Sequence, residues 1–258
     1  MPKILSEHAL TRYRREGFHF PVRVLSAAQA RSYRDRLEAH ERASGGPISG
    51  NMRHKVHLLF TWADELVRHP PVLDAVEDVI GPDILCWSTS FFIKEARSTS
   101  FVSWHQDSTY WGLSTSDVIT AWIALSDVPP ASGPMKFWAG SHLRNQLEHR
   151  DTFDADNLLS RGQEIAVEVP DGEGVEVPLS AGEMSLHHVL LVHGSPPNPS
   201  GDRRIGFAIR YIPTTVKQLH GRESATLVRG VDEHRNLDRK STRLNSSHSQ
   251  QSRMPSSA

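Results

Sequence analysis

The sequence predicts a mainly β fold with flanking helices, a double-stranded β-helix of the jelly-roll or cupin-like type. Short segments rich in aromatic and β-branched residues recur between glycine, proline and serine turns from residue 84 to residue 212. Helical periodicity occurs within the first 80 residues. A chain of 258 residues is long enough for one barrel-sized core. We therefore expect a single domain over residues 1–237, with the helices packed outside the barrel.

Three helices are predicted near the amino end, each bounded by residues that start or stop helices. Ser26 is a residue type that caps the amino end of a helix, and Pro70 suits a first helical turn. Gly17, Gly45 and Gly81 are typical of the positions that follow a helix. The predicted helices are 6–16, 27–43 and 72–80.

The strands are predicted from alternation and from the turns between them. One further stretch, 143–169, is polar and only weakly periodic. A long insertion beside a site commonly acts as a lid or a substrate wall, and we interpret this stretch as one. The predicted strands are 18–24, 85–95, 101–107, 118–125, 135–138, 175–179, 183–192 and 203–212.

Composition excludes several kinds of partner. A formal charge of −1 and a pI near 7.0 give no basic surface for nucleic acid and none for an anionic membrane. No apolar run approaches the roughly 18 residues that cross a bilayer. The single cysteine, Cys86, lies in an apolar run and cannot form an internal disulfide. We expect a cytoplasmic protein, monomeric or homodimeric, whose partners are small molecules.

The carboxyl end differs from the rest of the chain. Residues 238–248 resemble a translated sequencing-library adapter, and the following residues are rich in serine with no core-forming pattern. We expect residues 238–258 to be a non-native, disordered tail, and the natural carboxyl terminus to be missing.

His105 and Asp107 form the motif around which the candidate site is built. On a strand, residues two apart project from the same face, so this pair can hold one metal ion. Alone it is weak, because fifteen histidines and thirty acidic residues produce such pairs by chance. His193, far downstream, completes a set of two histidines and one carboxylate, the triad of non-haem ferrous iron sites. His187 has the same strand parity as His193 and is its rival.

These motifs resemble those of the phytanoyl-CoA dioxygenase family of iron(II)- and 2-oxoglutarate-dependent oxygenases. The resemblance extends from the opening Tyr13 to about Arg229, with one small departure at Ala139, where family members commonly have proline. The segments that carry it are Tyr13-Arg14-Arg15-Glu16-Gly17-Phe18, His105-Gln106-Asp107, Ala121-Trp122, Gly140-Ser141-His142, His193-Gly194-Ser195 and Arg204.

The resemblance implies how the metal is held and used. His105, Asp107 and His193 would bind Fe(II), and 2-oxoglutarate would be oxidised to succinate and carbon dioxide while O2 is consumed. Related halogenases have a small residue where this chain has Asp107, so the carboxylate favours hydroxylation. His142 is interpreted as a structural hydrogen-bonding residue.

The resemblance also implies the co-substrate contacts. Arg204, a planar donor to carboxylates, would bind the distal carboxylate of 2-oxoglutarate with Ser195 beside it. Trp122, and Thr120 on the same strand face, would lie against the co-substrate, although Trp122 equally suits a core position. Lys55 is the position that matches a co-substrate lysine of the family; a surface lysine or a substrate contact are its alternatives.

Some alternatives stay open on the sequence alone. Arg203 and Arg210 compete with Arg204 for the co-substrate; Arg203 has the opposite strand parity, and Arg210 lies further along the strand.

The overall function also has competing interpretations. A cupin-like metalloenzyme that uses Zn(II) or Mn(II) for hydrolysis or isomerisation would share the triad, and a non-catalytic module that binds 2-oxoglutarate or metal would share the fold. The substrate is not identified, although a small apolar or amphipathic molecule is expected. Trp104, Tyr110 and Trp111 either line its pocket or belong to the core.

Overall fold

The computed structural model describes residues 2–241 and has two main β-sheets with helices on one side. The α-helices are α1 Glu7–Glu16, α2 Ala27–Ser44, α3 Thr61–Val67 and α4 Pro70–Ile80. The strands are β1 Phe18–Arg23, β2 Ile84–Lys94, β3 Val102–His105, β4 Ile119–Ala124, β5 Met135–Trp138, β6 His149–Arg150, β7 Glu164–Ile165, β8 Gly174–Val177, β9 Glu183–His188, β10 His193–Ser195, β11 Arg204–Pro213, β12 Ser224–Arg229 and β13 Asp238–Arg239.

The two sheets pack on each other and form the predicted double-stranded β-helix. The larger has the order β1-β9-β4-β11-β2-β12-β13, and the smaller has the order β3-β10-β5-β8. Side chains from both, among them Phe18, Trp122, Phe137 and Val177, form one buried cluster between the sheets. The fold class predicted from the sequence is therefore confirmed.

Alternation along β11 separates the two faces of the large sheet. Ile205, Phe207 and Ile209 point to the side where the helices pack and belong to the largest core cluster. Arg204 and Arg210, an even number of residues apart, both line a cavity on the inner face. Because β11 pairs with β2 on one side and β4 on the other, its position is fixed by two ladders of hydrogen bonds.

The helix predictions are confirmed where local capping signals exist. The Ser6 side chain accepts a bond from the amide of Ala9, and Ser26 forms a capping box with Gln29. α3 was not expected; it follows two short 3-10 turns in the stretch 50–58. No helix among residues 2–241 is both long and apolar enough to cross a membrane.

Several boundaries differ from the predicted ones, and two of these differences change the description of the chain. The strand expected over 183–192 ends at His188, and a turn separates it from β10. The tail expected from residue 238 begins as an ordered segment, since Asp238 and Arg239 pair in parallel with β12 and Arg239 bonds Asp232. The remaining part of that predicted tail, residues 242–258, lies outside the described residues.

Candidate metal centre and its neighbouring cavities

The structure brings His105, Asp107 and His193 together. One ligand atom from each of the three lies within 4.8 Å of the others. His193 is directly opposite His105 in the antiparallel pairing of β10 with β3, and their ring centroids are 4.2 Å apart. Residues 88 positions apart in the sequence therefore meet, because β3 ends and the antiparallel strand β10 begins at the same end of the small sheet.

The backbone orients both imidazoles. Nδ1 of His105 lies 2.9 Å from the carbonyl oxygen of Ser103, and Nδ1 of His193 lies 2.9 Å from that of Leu191. If each Nδ1 donates its proton to the carbonyl, each Nε2 keeps a free lone pair, which is the form that binds a metal. His105 Nε2 lies 3.5 Å from Oδ1 of Asp107, so these atoms face the same point.

The strand argument for His105 and Asp107 was wrong in its detail. β3 ends at His105, and Asp107 opens a 3-10 turn that runs to Tyr110. Gln106 between them is fully buried, and its side-chain amide donates to the carbonyls of Asn145 and Leu190. The carboxylate therefore reaches the histidines through a turn held by Gln106.

Burial and neighbouring charges keep His193 and Asp107 deprotonated. Burial alone would raise the pKa of Asp107, but Arg210, then His105 and His193, hold the pKa of this carboxyl well below its usual value. Burial, with the neighbouring His105, lowers the pKa of His193 to about 4. Both groups have released their protons at neutral pH, and only deprotonated groups bind metal ions.

Arg204 is a buried cation in the same cavity. It is 1% exposed, it lies over the Trp122 indole with 5.4 Å between its guanidinium carbon and the ring centroid, and it donates from Nη1 to the carbonyl of Gly133 over 2.9 Å. Its Nε is buried with no hydrogen-bond partner among residues 2–241, and burial lowers the pKa of the guanidinium to about 10. A buried guanidinium with an unused donor is suited to a carboxylate ligand.

The other predicted contacts divide into near and distant ones. Ser195, Trp122 and Thr120 line this cavity, and the Thr120 hydroxyl lies 3.3 Å from Oδ2 of Asp107. Lys55 is not among the lining residues. Its ammonium bonds Glu223 at 2.6 Å and the carbonyl of Ser224 at 2.7 Å, so an acidic partner holds it elsewhere.

The structure also shows where the alternative residues for these roles lie. Arg203 faces outward and pairs with Glu41 and Glu95, as its strand parity predicts. Arg210 lies inside, with Nε 3.7 Å from Oδ2 of Asp107. His187 lines the cavity, and neither of its ring nitrogens has a hydrogen-bond partner among the described residues. Nε2 of His142 lies 3.1 Å from the carbonyl oxygen of Arg14, in agreement with a structural residue.

Lys94 is a residue that the sequence reasoning missed. It is fully buried opposite Arg204 in the β11–β2 pairing. Its Nζ atom donates to the Ser195 hydroxyl at 2.6 Å and contacts the Ser195 carbonyl at 3.1 Å and the Pro196 carbonyl. Burial and Arg204 lower the pKa of Lys94 to about 6. The sequence signal is a lysine at an inward position directly after the apolar residues Phe91, Phe92 and Ile93 of β2.

A second cavity, of about 230 Å³, adjoins the cavity that His105, Asp107, His193 and Arg204 line. Phe92, Asp107 and Arg210 line both cavities. Trp111 is in its wall, whereas Tyr110 is exposed and bonds Asp151. Trp104 packs against a separate cluster that contains Trp138 and is not part of this wall. Of the three aromatic residues that flank the metal pair, only Trp111 lines this second cavity.

The chain is similar to known proteins over most of its length. The family model described as phytanoyl-CoA dioxygenase (PhyH) matches residues 13–206. A probable alpha-ketoglutarate-dependent hypophosphite dioxygenase from Stutzerimonas stutzeri is 32% identical over 168 residues, which are 64% of this chain and 58% of that protein. L-proline trans-4-hydroxylase from Streptomyces griseoviridis is 25% identical, with 82% of this chain and 88% of that protein covered. A solved structure of the non-heme monooxygenase ThoJ, apo form, is 38% identical with a TM-score of 0.82, covering 93% of this chain and 94% of that one.

Proposed function

Because the chain belongs to the phytanoyl-CoA dioxygenase family, we propose that it is an Fe(II)- and 2-oxoglutarate-dependent dioxygenase that hydroxylates a small organic molecule. The observation that carries the proposal is the meeting of His105, Asp107 and His193 beside the buried, partly unpaired guanidinium of Arg204. Two imidazoles and one carboxylate on one side of a point are the donor set of the ferrous oxygenases. The similarity to a hypophosphite dioxygenase and to a proline hydroxylase supports a small substrate.

Each residue has a defined task in this proposal. Nε2 of His105, Nε2 of His193 and the Asp107 carboxylate would hold the metal. Arg204 and the Ser195 hydroxyl would hold the distal carboxylate of 2-oxoglutarate. Ferrous iron, when bound with 2-oxoglutarate, supplies the oxidising chemistry that consumes O2 and releases succinate and carbon dioxide.

The protein controls where that chemistry occurs. The apolar walls Trp122, Met135 and Ala208 exclude water from the cavity, and charged contacts are stronger in such a site than in water. Lys55 has no part in this assignment, because its ammonium already bonds Glu223.

We also propose that residues 1–237 are one domain and that the protein works in the cytoplasm. The buried free thiol of Cys86 supports a reducing compartment. A monomer or a homodimer is expected, and sedimentation at several protein concentrations measures which of them forms.

The first experiment is an anaerobic titration of the protein with Fe(II) and then with 2-oxoglutarate, followed by the visible charge-transfer band of the chelated complex. We expect a saturating band in the wild type, and weaker Fe(II) binding in Asp107→Ala, because this change removes one of the three ligands. Arg204→Ala should raise the 2-oxoglutarate dissociation constant well over tenfold, because a hydrogen bond to a charged group contributes about 1.5–3 kcal/mol.

Arg203→Ala is the matched control, since this neighbour faces outward to Glu41 and Glu95. It should leave the dissociation constant within about twofold, because its guanidinium does not reach the cavity. A folded, iron-loaded wild type without the band would contradict the proposal and favour a metalloenzyme of different chemistry.

A further inference from the structure

We propose that the second cavity binds the substrate as a small organic acid, with a carboxylate at Arg53 and Arg210 and an apolar body against Trp87 and Trp111. This inference rests on the proposed function, since it assigns the substrate of the same metal centre. It follows from the position of the cavity, its charge, its unpaired polar atoms and its aromatic wall.

The position makes this cavity the route to the metal. Phe92, Asp107 and Arg210 line both cavities, so a molecule in the second one lies next to the metal ligand Asp107. Its volume of about 230 Å³ suits a small molecule. A long coenzyme thioester would have to extend far outside it.

The charge of the wall is positive. Its ionisable residues are Arg53, His54, Arg210 and Asp107, and Asp107 is the proposed metal ligand. The only hydrogen bond of the Arg53 side chain among residues 2–241 is a long one of 3.4 Å from Nη2 to the carbonyl of Leu158, and no carboxylate there lies within ion-pair distance. Burial, followed by the charges of Arg53 and Arg210, lowers the pKa of His54, as expected where two cations face one cavity.

Three buried polar atoms of the wall have no partner among the described residues. They are Nε of Arg210, Nε1 of Trp87 and Oε1 of Gln163. Two are donors, and the Arg210 atom stands 3.7 Å from the nearest Asp107 oxygen, beyond hydrogen-bond reach. Buried unpaired donors cost free energy, and an anionic ligand would satisfy them.

The rest of the wall is aromatic. The Trp87 and Trp111 rings lie 4.7 Å apart at an interplanar angle of 40°, and Phe91 and Phe92 continue the surface. The Arg210 guanidinium carbon lies 5.5 Å from the Phe92 ring and 5.8 Å from the Trp111 ring, so the charge is held against the apolar surface. A ligand that fits both the arginines and the aromatic wall has a carboxylate at one end and a hydrocarbon at the other.

The test compares acids with their uncharged isosteres. Cyclohexanecarboxylate and cyclohexanecarboxamide, and phenylacetate and phenylacetamide, would be titrated into the protein with and without Fe(II) and 2-oxoglutarate. Binding is followed by the change in tryptophan emission, to which Trp87 and Trp111 contribute among six tryptophans and which needs no iron. We expect at least one acid to bind at least tenfold more tightly than its amide.

Variants assign that preference to the cavity. Arg53→Gln should reduce the acid-to-amide ratio to less than threefold, while Arg53→Lys should restore most of it. Arg42→Gln, which removes the same charge from an exposed position on α2, should leave the ratio unchanged. The charge-transfer band should be the same in all three.

The outcomes separate the two proposals. Equal binding of acids and amides, no binding of either at millimolar concentration, or a ratio that survives Arg53→Gln would overturn this inference even when the band is normal. Loss of the band with a retained acid preference would count against the iron chemistry instead.

Discussion

At the scale of single residues, Lys94 sets the direction of a hydroxyl proton. The lysine donates to the Ser195 oxygen at 2.6 Å, so this oxygen serves as an acceptor and its own proton is free to point at an anion. We expect Lys94→Met to raise the 2-oxoglutarate dissociation constant about two- to tenfold at neutral pH, since a hydrogen bond between neutral groups contributes about 0.5–1.5 kcal/mol. The measurement is the charge-transfer titration.

A double-variant cycle gives the control for Lys94. If the lysine acts through Ser195, the effects of Lys94→Met and Ser195→Ala should not add, and the double variant should resemble Ser195→Ala. Fully additive losses would mean that Lys94 affects the co-substrate directly or only supports the loop that follows β10.

The same residues show what the sequence can resolve. Arg204 was preferred to Arg203 through the family resemblance, and strand parity, which is local, then predicts that Arg203 points the other way, as the structure shows. Which lysine lies near the cavity, Lys55 or Lys94, depends instead on the strands that pair across the molecule. Nothing local distinguishes a lysine beside Glu223 from one opposite Arg204, so the sequence does not identify the lysine that contacts Ser195.

At the scale of elements, the Trp122 indole of β4 lies across Gly206 on the neighbouring strand β11. A Cβ atom at Gly206 on β11 would overlap the Trp122 ring of β4. We expect Gly206→Ala to push this indole toward Arg204 and weaken 2-oxoglutarate binding at least tenfold, with about 1–3 kcal/mol of stability lost through overpacking. The charge-transfer titration and urea unfolding measure the two effects.

Gly201→Ala is the matched control for this change. Gly201 lies in the turn before β11 with no atom within 4 Å of an added Cβ, so both quantities should stay close to those of the wild type. Unchanged co-substrate binding in Gly206→Ala would show that Trp122 is a core residue rather than a wall of the co-substrate site.

The elements predicted well are those with local signals at their ends. Ser26 and Gly45 bound α2 as expected, because caps act within a few residues. The break after His188 was missed, since Val189 to Val192 are apolar and read as a continuing strand. Their turn is set by packing: the Leu191 amide bonds the His188 carbonyl, and Val192 bonds the Ser141 hydroxyl.

At the scale of the whole molecule, buried neutral histidines make the fold acid-sensitive. Burial lowers the pKa of His57 to about 4. Burial and the neighbouring His105 lower the pKa of His193 to about 4. Burial and the neighbouring His193 lower the pKa of His187 well below 6.5. The folded pKa values lie below the unfolded one, so the unfolded chain binds more protons as the pH falls from 6.5 toward 4. The contribution of these histidines to stability is therefore complete above pH 6.5 and is lost progressively below it.

The unfolding free energy should fall by about 1.4 kcal/mol per pH unit for each such histidine, in the pH range where the histidine is protonated in the unfolded chain and neutral in the folded one. Urea unfolding of the protein in EDTA at pH 7.5, 6 and 5 measures it. His57→Gln, which replaces a ring near the hydroxyls of Thr89 and Thr226, should show a shallower slope. An unfolding free energy that does not change between pH 6.5 and 5 would contradict the assignment.

The uninterrupted pairing of β11 has a consequence for where a substrate is oxidised. Arg204 and Arg210 are six residues apart on this strand, and its pairings with β2 and β4 show no register shift between them. At about 3.3 Å per residue the backbone positions of the two arginines are about 20 Å apart, while both side chains reach the cavity of the triad. Arg210 lies beside Asp107, with Nε 3.7 Å from its Oδ2. A substrate acid held by Arg210 would therefore bring the carbons close to its own carboxylate to the metal centre, so regiochemistry would depend on the distance of each carbon from the acid group.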